Sequence, residues 1–480
     1  MVPLTPFFFW VKLNASLTPI TKDIATSTMT NNPLDAAFVN PSFGYPIIKE
    51  KGLFYTKMWP PLSLAYCAAI MEERGLRVAI VDAQAERLSP EQAAERASAA
   101  ERVFVSSSPL DRWQCPVNEI KNVYAVIQSL KAGRSERKVY LIGAHGTTFP
   151  EKILRETAAD VVILGEPEIT IKELSQGRPI EDIEGVAYRR DGQVVVREKR
   201  TYLNLNEFPN PAFHLLPMEK YYFEFLGKNF AMLEGSRGCP YACTFCYKDM
   251  YGPYRVKTSK KLIGEVEYAV EEFGVRNIYF VDLTFTINKK QVLDVCDFII
   301  GRRYDLHWAC QTRFDLVDEP ILKKMKEAGC RLIQFGVESG TEEIVRKTNK
   351  YIPPKTISEG LRLVHRLGME SVAFIMFGLP NETSDDMVRS IQYVKKINPT
   401  YVAYNIAIPY TEATYDAEKA SPANEGVFFP ETYGGYSKEF LDAMVKKGMI
   451  AFYLSPRTIP KVLKNPKSLI QKIKLFLAAL

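Results

Sequence analysis

Several features that would assign a protein to a class are missing from this 480-residue sequence. No stretch holds the roughly 20 consecutive apolar residues that a helix needs to cross a bilayer. The eight cysteines are mostly scattered, whereas a small secreted protein held by disulfides has a dense set. The net charge is only +6, and no long basic cluster precedes the C-terminal region. We therefore expect a cytoplasmic protein with no membrane span, no disulfide framework and no nucleic-acid partner.

The N-terminal segment also lacks the pattern of a secretory signal peptide. Basic residues do not precede its short apolar run, and no small-residue cleavage site follows that run. We interpret residues 1–33 as a flexible leader, with Met29 as an alternative start of translation.

From residue 34 onward, short apolar strands alternate with segments of helical periodicity. The spacing predicts helices between strands, and this alternation is typical of a doubly wound parallel sheet. We place this Rossmann-like domain at 34–180, followed by a hairpin and a proline-bearing linker at 181–225. The predicted strands are 36–40, 77–82, 102–106, 138–142 and 160–164, and the predicted helices are 61–74, 90–100 and 117–131.

The alternation resumes after the linker. Six further strands with helical crossovers predict a partial (β/α)6 barrel at 226–425, and a basic, helical region follows at 426–480. The predicted barrel strands are 230–234, 277–281, 306–310, 331–336, 371–376 and 401–407, and predicted helices include 260–273, 289–301 and 320–328. The fold class is therefore α/β.

Three cysteines directly follow the first predicted barrel strand: Cys239, Cys243 and Cys246, spaced C-x3-C-x2-C. Thiolates are the ligands that iron–sulfur clusters use, and three of them leave one iron open to another molecule. A zinc site would need a fourth ligand, and the nearest histidines, His214 and His307, lie outside the loop. A [4Fe–4S] cluster is the favoured interpretation, with zinc or buried structural thiols as alternatives.

The remaining cysteines of the predicted barrel fall inside helix or strand patterns. We interpret Cys296, Cys310 and Cys330 as packing residues, because free cysteine is often buried.

The cysteine loop, with Phe245 before the last cysteine, resembles the signature of the radical S-adenosylmethionine (SAM) superfamily. The similarity extends over residues 230–410. It implies that SAM binds the open iron and that one electron cleaves it to methionine and a 5′-deoxyadenosyl radical, which removes hydrogen from an unactivated carbon. It also implies a small-molecule substrate, a reductant protein of the flavodoxin or ferredoxin type, and a place for Phe245 in the SAM site.

The same resemblance implies further SAM-binding residues at the C-terminal ends of barrel strands, where barrel active sites form. Asp282 is placed to meet the amino group of SAM, and Arg313 to pair with its carboxylate. Glu338 and Ser339 are placed for ribose or amino groups, and Gly378 for a close approach of the backbone to adenine. Each residue alone is equally consistent with an ordinary strand end.

The N-terminal domain resembles the cobalamin-binding domain of cobalamin-dependent radical SAM enzymes. The similarity lies in Lys138–Ile142 with the glycine-rich turn after it, and in Gly165-Glu-Pro-Glu168. Cobalamin-binding domains that supply a lower axial histidine carry it in the pattern Asp-x-His-x-x-Gly. In the corresponding loop of this sequence, Gln84 occupies the histidine position, so this loop offers no lower axial histidine. The implied cobalamin-binding residues are Trp59, Gln84, Gly143, His145, Gly146 and Gly165.

Two alternatives stay open for this domain. Either His145 contacts the corrin or a phosphate, or it is a loop histidine whose ring nitrogens form hydrogen bonds within the protein. The whole domain binds cobalamin, or it is degenerate and only docks on the barrel, because fold alone does not prove a ligand.

Three functional hypotheses follow. The first is a cobalamin-dependent radical SAM enzyme that methylates, or forms C–C bonds or rings on, a lipid-like or tetrapyrrole-like substrate. The second keeps the radical chemistry without cobalamin. The third is an iron–sulfur or zinc protein that carries electrons or binds a partner, although a carrier does not need the SAM-facing residues. The basic amphipathic segment 468–480 predicts a helix that packs on the protein or contacts a membrane surface.

Overall fold

The computed structural model describes residues 33–43, 58–118, 120–198, 202–248, 250–410, 428–433 and 435–459. Nearly all of the predicted leader and the whole predicted segment 468–480 lie outside these ranges. Within them, no helix combines the length and the apolar character that a membrane crossing requires.

The N-terminal domain is built on a seven-stranded sheet with strand order β2-β1-β3-β4-β5-β6-β7. The first five strands in the chain pair in parallel, whereas β6 pairs antiparallel with β5 and β7 pairs antiparallel with β6. Their bounds are β1 Leu34–Asn40, β2 Val78–Asp82, β3 Ala100–Ser106, β4 Lys138–Ile142, β5 Val161–Ile163, β6 Val186–Arg190 and β7 Gln193–Arg197. The predicted doubly wound sheet is confirmed.

Helices cover the two faces of this sheet. Ten of the eleven residues of α1 are buried, because the helix is apolar on nearly all sides and lies between this sheet and the barrel. Helix α3 begins at a capping box formed by Ser89 and Gln92, with Pro90 at its first position. The bounds are α1 Leu62–Glu72, α2 Ala83–Glu86, α3 Pro90–Arg96, α4 Lys121–Gly133, α5 Ala144–Thr148, α6 Pro150–Glu156 and α7 Glu168–Ser175.

The predicted hairpin, β6–β7, extends this sheet. Strand β6 pairs with β5, so the sheet continues past the predicted boundary at 180. This pairing covers an edge that β5 would otherwise expose. The turn between the two strands uses Asp191 and Gly192, with φ of 52° and 79°.

The second domain is an open parallel sheet with order β15-β14-β13-β12-β11-β8, which confirms the predicted partial barrel. In the described part of the chain, β8 and β15 are its two edges. The strands are β8 Phe230–Leu233, β11 Asn277–Phe280, β12 His307–Thr312, β13 Cys330–Glu338, β14 Glu370–Phe377 and β15 Tyr401–Ile406; a short antiparallel ribbon joins β9 Ser236–Arg237 to β10 Arg255–Val256.

Helices connect the barrel strands, and each has an amphipathic face against the sheet. A C-terminal helix, α14 Lys438–Tyr453, packs against β15. The crossover helices are α8 Ser259–Phe273, α9 Lys289–Arg302, α10 Glu319–Glu327, α11 Glu342–Lys347, α12 Pro354–Arg366 and α13 Ser384–Ile397.

The two domains share one apolar core and a buried polar contact. Tyr66 on α1 donates a hydrogen bond to Glu265 on α8 at 3.1 Å. Lys257 donates to Tyr66 at 2.8 Å and forms an ion pair with Glu265 at 2.7 Å. These contacts cross the domain boundary, so they fix the position of one domain's C-terminal sheet edge relative to that of the other.

Candidate active site

The cysteine loop, residues 238–248, is held at its first residue and near its middle. Its first residue, Gly238, has φ of 76°, and a Cβ there would lie 2.7 Å from the carbonyl oxygen of Gly252. Only glycine fits this close approach. Farther along, Thr244 N donates to Thr348 O at 3.1 Å. All three cysteines of the loop are half-buried and outside any disulfide.

Burial is the main influence on the pKa of two of these thiols. Together with the neighbouring thiols, it raises the pKa of Cys246 to about 12. Burial also raises the pKa of Cys243, against the opposing charges of Lys350 and Arg313. Cys243 and Cys246 are therefore protonated near neutral pH, and metal binding through them would release protons.

The donor set fits a cluster better than a zinc ion. Among the residues that the structure describes, no three Cys, His, Asp or Glu side chains converge on the position of a single metal ion. A zinc ion draws its sulfur ligands to roughly 3.8 Å from one another, as Zn–S bonds of about 2.3 Å require. A [4Fe–4S] cluster takes one thiolate at each of three separate corners, which suits a single loop of three cysteines.

Arg313 reaches the cysteine loop from the end of β12. Its guanidinium lies 3.9 Å from the ring centroid of Tyr241, between the first two cysteines, and it donates to both oxygens of Asp315 at 2.9 and 2.8 Å. Its buried Nη1 has no hydrogen-bond partner among the described residues. An unpartnered buried donor beside the cysteines suits the predicted pairing with the SAM carboxylate, which stays a prediction.

Asp282, at the end of β11, has a contact that the sequence did not predict. Its carboxylate accepts hydrogen bonds from Gly235 N at 2.8 Å and from Ser236 Oγ at 2.5 Å. Burial raises the pKa of Asp282 to about 7, and these hydrogen bonds oppose the rise. Asp282 therefore anchors the chain that leads into the cysteine loop. Its contact with the SAM amino group stays a prediction.

A lysine that the sequence analysis did not single out joins this edge of the barrel. Lys350 donates to Glu338 Oε1 at 2.5 Å, and its Nζ lies 5.7 Å from the ring of Phe245. Glu338 itself has φ of 67°, a conformation that non-glycine residues rarely adopt. Lys350 follows α11 rather than a strand, so no strand-end pattern pointed to it.

The last two predicted SAM residues are packed tightly. The Ser339 hydroxyl lies 3.1 Å from that of Ser390. Gly378 has φ of 80°, donates to Glu382 Oε2 at 2.7 Å, and would place a Cβ 2.9 Å from Leu441 on α14. The glycine is therefore required by the packing of α14, and its approach to adenine stays a prediction.

The predicted glycines of the N-terminal domain lie at crowded strand ends. Gly143 has φ of 121°, and a Cβ there would lie 2.6 Å from Ser107 Oγ. Gly146 is equally crowded by β5. Gly165 has φ of 69°, and its N–H donates to Thr147 Oγ1 at 2.8 Å. Small residues thus bring the ends of β3, β4 and β5 close together.

Two predicted cobalamin residues have other contacts in the structure. The Trp59 ring lies 4.8 Å from that of Tyr279 on β11, so it packs against the barrel. His145 is fully buried, with Nε2 2.7 Å from Val117 O and its ring 5.1 Å from that of Phe428. Burial lowers the pKa of His145 to about 4, so the ring is neutral at pH 7. Nε2 is therefore satisfied, whereas Nδ1 is buried without a hydrogen-bond partner in the described ranges, so the choice between a loop histidine and a corrin contact stays open.

Further unpartnered polar atoms lie on the same edge within the described ranges. Gln84 Oε1 accepts from Ser42 Oγ at 3.1 Å and Phe43 N at 3.2 Å. Gln84 Nε2, Asn40 Oδ1 and Ser107 Oγ are buried without a hydrogen-bond partner in the described ranges. They lie at the ends of β2, β1 and β3, around the point where the strand order reverses, and doubly wound sheets bind cofactors there.

Comparison with known families decides between the hypotheses. The model of the Radical SAM superfamily matches residues 233–394, and that of the B12 binding domain matches residues 55–175. The chain is a radical SAM enzyme with an N-terminal B12-binding domain. The electron carrier is therefore the wrong hypothesis, and the predicted cofactors are confirmed at the level of the domains that bind them.

Relatives of this radical SAM enzyme cover most of its length. An uncharacterized methyltransferase of Pyrococcus horikoshii is 29% identical over 423 residues, which are 84% of this chain and 89% of the relative. The anaerobic magnesium-protoporphyrin IX monomethyl ester cyclase of Rubrivivax gelatinosus is 26% identical over 381 residues, 77% and 68% of the two chains. The structure of the cobalamin-dependent S-adenosylmethionine radical enzyme OxsB superposes with a TM-score of 0.68 at 16% identity, over 92% of this chain and 72% of OxsB, and this similarity shows the fold.

The cysteine loop of the radical SAM domain contacts the C-terminal edge of the B12-binding domain. The hydroxyl of Tyr247, next to Cys246, lies 2.5 Å from that of Thr148 on α5. Thr147 Oγ1 lies 3.0 Å from Met250 Sδ, beyond the loop. The two predicted cofactor edges thus adjoin each other.

Proposed function

We propose that this cobalamin-dependent radical SAM enzyme transfers a methyl group to an unactivated carbon of an apolar small molecule, lipid-like or tetrapyrrole-like. One observation carries the proposal: the three-cysteine loop lies directly against the B12-binding domain, through the Tyr247–Thr148 contact. Radical formation at the loop and methyl delivery from the neighbouring edge would then share one substrate position. The Pyrococcus horikoshii relative is named a methyltransferase, which supports this chemistry.

The residues present fit the cofactors. Cys239, Cys243 and Cys246 would hold the cluster, and the unpartnered Nη1 of Arg313 would meet the SAM carboxylate. When bound, the cluster with SAM supplies a 5′-deoxyadenosyl radical and cobalamin supplies a methyl carrier. The stack on Tyr241 and the two bonds to Asp315 hold the Arg313 guanidinium in one orientation, so it needs little rearrangement to bind a carboxylate.

At the other edge, small residues and unpartnered polar atoms would receive cobalamin. Gly143 and Gly165 have no side chain, so the backbone at these strand ends can be approached closely. Asn40, Gln84 and Ser107 offer polar atoms with no partner in the described ranges. Gln84 replaces the axial histidine, and its Oε1 already holds the segment after β1. We therefore expect cobalamin without a histidine ligand from this loop.

Ring formation is the second candidate. The Rubrivivax gelatinosus relative is named a cyclase of a tetrapyrrole ester, which favours this chemistry. The lipid-like alternative and the peripheral membrane contact depend on residues 468–480, outside the described ranges. Both stay predictions, as do the cytoplasmic location and the flavodoxin- or ferredoxin-type reductant.

The test uses the full chain, reconstituted anaerobically with iron, sulfide and hydroxocobalamin. A strong reductant and SAM bearing a deuterated methyl group are added to a lipid extract or to a magnesium-porphyrin ester. A product in which an intact deuterated methyl group replaces one hydrogen supports methylation. An unlabelled product that has lost hydrogen supports ring formation. If the wild-type protein forms no 5′-deoxyadenosine while the Cys243→Ala variant behaves identically, the proposal is rejected.

A further inference from the structure

A buried ion cluster joins the two domains immediately before the first cluster cysteine. Arg237, the last residue of β9, is only 1% exposed and lies two positions before Cys239. It binds Glu234 through Nη2 at 2.8 Å and through Nε at 3.1 Å. Its Nη1 donates a hydrogen bond to Glu166 Oε2 at 3.0 Å and lies 2.9 Å from Glu168 Oε1, and both glutamates belong to the B12-binding domain. The Glu168 contact is an ion pair only, since neither oxygen of Glu168 has a hydrogen-bond partner in the described ranges.

The same guanidinium is enclosed by aromatic rings from two further segments. Its Cζ lies 5.3 Å from the ring of Trp113, in the loop after β3, and 5.1 Å from the ring of Phe208, between the domains. Both distances are within the range of a cation–π contact. Arg237 therefore contacts four separate segments: two strand-end loops of the B12-binding domain, the connection between the domains, and the chain that becomes the cysteine loop.

The acidic side of the cluster is anchored as well. Glu166 forms a second ion pair with Arg255 on β10 and accepts a hydrogen bond from Gly252 N at 3.1 Å. Gly252 is the residue whose carbonyl oxygen crowds Gly238. A shift of Glu166 would therefore act on the cysteine loop through Arg237 and through Gly252.

This arrangement is poorly suited to stability alone. Burying charged groups costs free energy that their mutual attraction often fails to recover, and apolar residues of similar volume are frequently as stable. What ion pairs with several fixed partners do provide is one geometry, because guanidinium donors are directional. The ion cluster also connects the two predicted cofactor sites, because its acidic residues follow Gly165 of the B12-binding domain and its arginine lies just before Cys239.

We propose that Arg237 is a positioning residue that sets the cysteine loop against the B12-binding domain, using Glu166 and Glu168 as its partners across the boundary. This inference rests on the proposed function, in which the two cofactors cooperate on one substrate. Arg237 touches neither cofactor in this role. Its loss should change how the loop and the domain edge are held, while the three thiols can still take up iron.

The test compares Arg237→Lys and Glu166→Gln with a control, Tyr66→Phe, by amide hydrogen exchange of the full chain. Tyr66 also forms a buried polar contact across the domain boundary, but it bonds Glu265 and Lys257 rather than the chain before Cys239. We expect exchange in residues 161–175 and 233–248 to rise about tenfold in the first two variants and to stay at the wild-type rate in the control.

Two further measurements separate positioning from cluster assembly. Iron content per chain should match the wild type in Arg237→Lys, while the electron paramagnetic resonance line shape of the reduced cluster should change. If Arg237→Lys does not fold, Glu166→Gln decides, because it leaves Arg237 with Glu234 and Glu168.

Wild-type exchange rates in the folded variants would overturn the inference, as would an equal rise in Tyr66→Phe. Hydrogen exchange needs no bound cofactor. A wild-type protein that fails to cleave SAM would therefore reject the proposed function and leave this result intact.

Discussion

The two sheet edges that face each other in this enzyme are built on different principles. At the barrel edge, the residues predicted from the sequence offer donor groups in the structure: three thiols outside any disulfide, and an arginine whose Nη1 has no partner among the described residues. At the edge of the B12-binding domain, Trp59 and His145 pack against neighbouring aromatic rings. Within the described ranges, the unpartnered polar atoms there belong to two predicted residues, Gln84 and His145, and equally to two that the sequence did not predict, Asn40 and Ser107. A cluster is bound by one kind of donor, so residue type reveals its site. A large macrocycle is bound by shape and backbone, so residue type reveals little.

The largest expected effect is the loss of a thiol at the barrel edge. Cys239→Ala should lower iron content and reduce SAM cleavage by roughly 100-fold or more, because three corners of the cluster need three thiolates. Cys296→Ala is the matched control, since Cys296 is a buried cysteine on α9. Iron analysis and chromatography of 5′-deoxyadenosine measure both. Equal iron in the two variants would contradict the assignment.

The next effect concerns the arginine on the same edge. Arg313→Gln should weaken SAM binding about 10- to 100-fold, because a hydrogen bond to a charged group contributes about 1.5–3 kcal/mol. Equilibrium binding to the reconstituted protein, normalised to iron content, measures this. Arg276→Gln serves as control, since Arg276 is exposed just before β11, at the opposite end of the barrel. Unchanged affinity in Arg313→Gln would place the carboxylate elsewhere.

A glycine pair tests how tightly the B12-binding edge is packed. Gly143→Ala and Gly192→Ala both introduce a side chain at positive φ, but only Gly143 has atoms within 4 Å of the added Cβ. The backbone strain should cost about 1–2 kcal/mol at Gly192. It should cost about 1–3 kcal/mol at Gly143, whose φ of 121° and ψ of −177° lie in a region almost reserved for glycine. The contact with Ser107 should add about 1–3 kcal/mol. Denaturant unfolding of the two variants measures the difference, and equal losses would show that this edge can relax.

The smallest effect is a pH dependence at the same edge. The pKa of His145 is lowered by burial from the ordinary 6.5 to about 4, so the unfolded chain binds a proton that the folded chain refuses. Stability should therefore fall as pH drops below 6.5, by about 2 kcal/mol between pH 7 and pH 5. His145→Gln should flatten this slope in unfolding curves. A slope that is the same in both proteins would show that His145 gains a partner when it is charged.

Much of the fold followed from periodicity. The predicted strand at 138–142 has the bounds of β4, and each of the six predicted barrel strands is present. The predictions were less accurate where a pairing is short or distant. The two-residue strands β9 and β10 carry no periodic signal, and β6 joins the N-terminal sheet only because β5 offers an unpaired edge. The predicted helix 90–100 ends at Arg96, because the chain must turn to begin β3 at Ala100.

By itself, the sequence determined the α/β alternation and the set of three thiols in one loop, because local spacing and residue type suffice for both. Only the tertiary structure decided which distant polar groups meet. Arg237 and Glu166 are 71 positions apart, and Lys350 reaches Glu338 from a helix connection. The Arg237–Glu166 pairing depends on how the two domains pack, and the Lys350–Glu338 pairing depends on how the chain after α11 folds back onto the end of β13. No local pattern in the sequence encodes either contact. The sequence thus identified the donor residues, and the tertiary packing determined which residues they contact.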